Sequence, residues 1–73
     1  MNIKEKEMIL ALAEHDMNIS KAADSLYYHR NTITYRLNKI KEKYFLDPTN
    51  FYDLIKLVEM AKESVCEDEQ NEQ

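Results

Sequence analysis

Between Asn18 and Ile40 the chain reads NISKAADSLYYHRNTITYRLNKI, and no other stretch restricts its possible folds as strongly. A short helical segment carries the small pair Ala22 and Ala23, a tight turn falls at Leu26–His29, and a longer amphipathic helix follows. Small side chains let the first of these helices lie close against the second. Two short helices crossing at a tight turn form a helix-turn-helix. The remaining composition agrees with an all-α fold: glycine is absent, proline occurs once, and Ala, Leu, Lys, Glu and Met are plentiful. The 73 residues make one domain. A chain of this size buries only about 60% of its unfolded surface, so its core is small.

Hydrophobic spacing predicts four helices in residues 1–66, with the helix-turn-helix at 18–44. The first runs from about Lys4 to Glu14, with Met8, Ile9 and Leu12 in register, and His15-Asp16-Met17 connects it to the second. Asn18 is a good N-cap for a helix over about Ile19–Leu26, with Met17 and Ala22 placed as a hydrophobic staple. A third helix spans about Arg30 to Tyr44, capped by His29, with Tyr28 and Ile33 as its staple. Asp47-Pro48 marks the start of a fourth, since proline at a first helical position loses no hydrogen bond. Its core stripe is Phe51, Leu54, Ile55, Val58, Ala61 and Val65. Leu57 and Met60 lie off that stripe and Tyr52 opposite it, offering a surface for a second copy of the chain. From Glu67 onward EDEQNEQ holds no apolar residue, so 67–73 is expected to be an acidic disordered tail.

The net charge of −4 is unevenly spread. Residues 1–17 carry −2, residues 18–44 carry +4, and residues 45–73 carry −6. All the excess positive charge therefore lies in the helix-turn-helix, where a local field matters more than the total. The single cysteine, Cys66, excludes an internal disulfide. Neither a signal peptide nor an apolar run of the roughly 20 residues that span a bilayer is visible, so a cytoplasmic location is expected.

In the third helix Ile33, Leu37, Ile40 and Tyr44 share one narrow arc and must face the core. The opposite side carries Asn31, Thr34, Tyr35 and Asn38, with Thr32, Arg36, Lys39 and Lys43 along one flank and Lys41 on the other. Arg30, in the first turn, is placed to bond guanine O6 and N7, and Asn31 to bond adenine N6 and N7. Thr34 and Tyr35 are placed for thymine methyls or phosphates; Thr32, Arg36 and Lys39 suit backbone contacts, which fix register without reading sequence. Ser20 and Lys21 begin the helix that crosses the phosphate backbone in this motif. His29 serves equally well as a cap or as a contact to phosphate or base. Two histidines and one cysteine, far apart, make no zinc site, and no nucleophile has a partner at catalytic spacing. The expectation is a module that binds double-stranded DNA, without catalysis, metal, cofactor or small-molecule ligand. The rival is a small helical bundle that dimerises or docks on a protein partner.

NISKAADSLYYHRNTITYRLNKI resembles the C-terminal helix-turn-helix domain of the PucR and sugar-diacid (CdaR) type bacterial regulators. It is similar, more distantly, to the DNA-binding end of the Fis protein and its NtrC-class relatives. The resemblance rests on Asn18, Ser20, Ala23, Leu26, His29-Arg30-Asn31-Thr32, Tyr35-Arg36-Leu37 and Ile40, then on Asp47-Pro48 and Leu54. It covers about Met8 to Ala61. It implies transcriptional control by operator binding as a dimer, with Arg30, Asn31, Thr32 and Arg36 as DNA contacts. One departure from the wider motif is Tyr27, where many such turns place glycine at positive φ. Regulators of this type also carry a large sensory region, so an excised domain or a small stand-alone protein is expected.

Overall fold

The computed structural model describes residues 1–63, so Val65, Cys66 and the acidic 67–73 segment lie outside the described residues. Four helices follow one another: α1 Ile3–Glu14, α2 Ile19–Ser25, α3 Arg30–Tyr44 and α4 Phe51–Glu63. The all-α, four-helix expectation therefore holds, with α3 at its expected bounds.

Each start has a local chemical cause. Asn2 caps α1 through a reciprocal pair: its side chain accepts from the Glu5 N–H at 2.9 Å, while the Glu5 carboxylate accepts from the Asn2 N–H at 3.0 Å. This N-x-x-E box sets the start at Ile3, just ahead of the expected Lys4. Asn18 accepts from the Lys21 N–H at 3.0 Å, and His29 Nδ1 accepts from the Asn31 N–H at 3.1 Å. Both caps are those expected from the sequence.

The start of α4 is not. Asp47 closes a turn upon Thr49, whose N–H and hydroxyl both donate to its carboxylate. Pro48 is buried in that turn instead of opening the helix. Asn50 does the capping, accepting from the Asp53 N–H at 3.1 Å through its side chain and from the Leu54 N–H at 2.8 Å through its carbonyl. The Asp53 carboxylate reaches back to the Asp47 N–H at 3.0 Å, locking turn and helix together.

The ends are unusual because the chain has no glycine. After α1, Asp16 donates to Ala13 and Met17 to Leu12; after α2, Tyr27 donates to Asp24 and Tyr28 to Ala23. Both are Schellman closures, which need a left-handed residue where glycine is usual. Asp16 (φ 55°) and Tyr27 (φ 60°) supply it, and Phe45 (φ 58°) does so after α3.

Helix α1 is the hub. It packs against the other three, α2 packs against α3, and α4 rests on α1 without packing against α3. Met8, Ile9, Ala11 and Leu12 of α1 meet Ala22 and Ala23 of α2, Ile33, Leu37 and Ile40 of α3, and Leu54, Leu57 and Ala61 of α4. Tyr28 and Tyr44 are half-buried against this core. The register of α4 departs from expectation. Leu57 is fully buried at 0% exposure, and Met60 is half-buried against the core, whereas Phe51 and Ile55 are 59% and 41% exposed. Leu57 and Met60 are thus core, not a surface for a second copy; of the expected trio only Tyr52 is exposed. Apolar residues surround most of α4, so several arcs were possible, and contact with α1 selects the one through Leu54, Leu57 and Ala61.

Candidate nucleic-acid interface

The buried stripe Ile33, Leu37 and Ile40 fixes which side of α3 faces outward. Arg30, Asn31, Thr34, Tyr35, Asn38 and Lys39 are exposed, and Thr32 and Arg36 half-exposed at the edge. His29 stands at the head of the helix, also exposed. Ser20 and Lys21 are exposed on the first turn of α2. Every side chain expected to touch DNA is therefore solvent-accessible, and those of α3 share one outward side.

Local bonds narrow what several of them have to offer. The Thr34 hydroxyl donates to the Arg30 carbonyl at 3.0 Å, leaving its methyl and oxygen lone pairs outward. Arg36 lies over the Tyr28 ring, 5.6 Å from its centroid, and Lys39 lies 5.4 Å from the centroid of Tyr35. Such stacking orients a cation without neutralising it. The Lys21 N–H is taken by Asn18, so this residue offers its ammonium and not its amide. His29 uses Nδ1 in the cap, which leaves the Nε2 edge of its exposed ring for any further contact.

Two basic residues of α3 are drawn off by acids from other elements. Lys41 pairs with Asp47 at 3.7 Å, and Lys43 pairs with Glu5 at 3.3 Å. The remaining cations, Lys21, Arg30, Arg36 and Lys39, belong to the outward surface; Lys39 also approaches Glu42 at 3.9 Å in a solvent-exposed pair of little strength.

Glu5 anchors the opposite end of this surface. The Tyr44 hydroxyl donates to it at 2.8 Å, so one carboxylate caps α1 and ties it to the end of α3. Burial pushes the Glu5 carboxyl up, but the hydrogen bonds from Asn2, Tyr44 and Lys43 outweigh it and hold the group below 4.5. Burial and the neighbouring carboxylate push the Tyr44 phenol above its ordinary value. The Thr49 hydroxyl and N–H, with Lys41 beside them, hold Asp47 below its usual range.

One part of the region escaped the sequence reading. The first turn of α1 reaches the α3 surface, so Asn2, Lys4 and Glu5 line a groove with Asn31, Tyr35 and Arg36. The signal was present as Asn2-x-x-Glu5, which reads as a helix start, but the apolar pattern of α1 says nothing about where that start lies in space. Among the described residues, no group of three or more His, Cys, Asp or Glu is arranged to hold a metal ion, and no helix is long and apolar enough to cross a membrane.

A short helix carrying Ala22-Ala23, a tight left-handed turn and a long helix with a polar outward side define a helix-turn-helix domain, a class associated with DNA-binding regulation. Residues 6–60 match the family model described as the PucR C-terminal helix-turn-helix domain, and the chain belongs to that family. Neither a curated protein nor a solved structure matches it.

Proposed function

We propose that the chain is a sequence-specific double-stranded DNA-binding domain of a transcriptional regulator, with α3 lying in the major groove. The observation that carries this reading is the outward side of α3. Arg30 and Asn31 stand in its first exposed turn, side by side, with the bidentate chemistry for guanine and adenine. Tyr35 and the Thr34 methyl extend the apolar part of that surface. Arg36, Lys39, Thr32 and His29 flank it with phosphate-binding groups, and Ser20 and Lys21 supply the same from α2. No catalytic step is proposed.

A single recognition helix reads few base pairs, so useful specificity calls for two copies on half-sites about 34 Å apart. The surface for pairing is the outer side of α4, where Phe51, Tyr52 and Ile55 are exposed. Beside them runs an apolar groove lined by Met17, Leu54 and Val58 and edged by Asp16, Glu59 and Lys62. A rim with both signs of charge suits a two-fold, self-complementary contact. The same surface favours the second reading, a module that docks on another protein without touching DNA.

Fluorescence-anisotropy binding to a pool of random duplexes between about 50 and 200 mM salt separates the two. The DNA reading expects binding that falls steeply with salt and is weakened by Arg30→Ala and by Arg36→Ala. Absence of binding at the lowest salt by a folded, paired domain favours the docking module.

A further inference from the structure

The groove between the first turn of α1 and the outward side of α3 measures about 550 Å³, and basic residues of both helices line it: Lys4 from α1, Arg36 and Lys39 from α3. We infer that this groove grips a phosphate of the DNA backbone, with Lys4 as a contact supplied from outside the helix-turn-helix. The inference rests on the DNA-binding reading above and extends its surface to a third helix.

Three observations support it. Lys4 sits in the first turn of α1, where the helix dipole favours anions and opposes a cation, and no ion pair among the described residues compensates it. Lys4 thus brings to the groove a cation that a phosphate would neutralise. Asn31 and Tyr35 line the same groove, so a duplex read by the first turns of α3 has its bordering strand at the groove mouth. Glu5 also lines it, yet its carboxylate is engaged by the Asn2 N–H, the Tyr44 hydroxyl and the Lys43 ammonium, and does not oppose a phosphate as a bare charge.

The test is a salt titration of duplex binding by the wild-type chain and by Lys4→Gln, Lys56→Gln and Arg30→Ala, with circular dichroism to confirm folding. Lys56 is exposed on α4, which does not pack against α3, and controls for overall charge. The expected result is that Lys4→Gln weakens binding to several unrelated duplexes alike, several-fold at low salt. The slope of log affinity against log salt should fall by about 0.9, the loss of one phosphate contact. Lys56→Gln should change neither. Lys4→Gln binding like wild type while Arg30→Ala loses affinity would overturn the groove contact and leave the DNA reading standing. Equal weakening by Lys4→Gln and Lys56→Gln would also overturn it, reducing the effect to a general field. Unchanged binding by Arg30→Ala would remove the DNA reading itself, and the inference with it.

Discussion

Tyr27 holds a left-handed backbone at φ 60° with its side chain 96% exposed, so nothing in its packing offsets the strain. A β-carbon in this region costs on the order of 1–2 kcal/mol, less the greater entropy that glycine loses on folding. Tyr27→Gly should therefore stabilise the domain by about 1 kcal/mol, measured as a higher urea midpoint at unchanged slope. A lower midpoint would mean that the ring has a stabilising contact. Arg30 is exposed at the head of α3, and among the described residues no ion pair or ring contact engages its guanidinium, so Arg30→Ala should leave stability unchanged. On a selected operator, the same change should cost about 1–3 kcal/mol and blur preference at one base pair. Lys39→Ala should weaken all duplexes alike; competition against scrambled sequence distinguishes the two.

At the scale of helices, Glu5 joins the start of α1 to the end of α3 through the Asn2, Tyr44 and Lys43 contacts. Because its folded pKa is depressed, the stability it contributes is fully present above the unfolded value near 4.5 and is lost as pH falls through the lower, folded value. Glu5→Gln should thus be less stable than wild type at neutral pH, with the gap closing in acid; a gap independent of pH would contradict this account. Helix α4 offers a second check. Leu57 is fully buried, so Leu57→Ala should cost about 2–5 kcal/mol in chemical denaturation, while Tyr52→Ser should cost little. Helix existence, the bounds of α3 and the Asn18 and His29 caps were legible because each depends on neighbours in sequence. The start and register of α4 were not. Asp47 and Asn50 are both good cap residues, and Leu57 differs from Ile55 only through contact with α1. The Lys4 groove was illegible for the same reason: it joins residues about thirty apart across two helices.

Across the whole molecule, α1 separates two surfaces of different character. One is the polar, cationic side of α3, continued by Lys21 and Lys4; the other is the apolar side of α4 with Phe51, Tyr52 and Ile55. The net charge of −4 obscures this division, since Asp47 and Glu5 engage Lys41 and Lys43 at the far end of α3 and leave Arg30, Arg36 and Lys39 on the outward side. The proposed function requires that this outward side meet DNA. Its most direct test is an amide chemical-shift titration of the labelled domain with a duplex at low salt. The expected perturbations centre on His29 to Lys39, with Ser20, Lys21 and Lys4, and spare Phe51 to Met60 in the early additions. Perturbations confined to α4, or none at a duplex excess, would contradict the claim and leave the chain a protein-docking module.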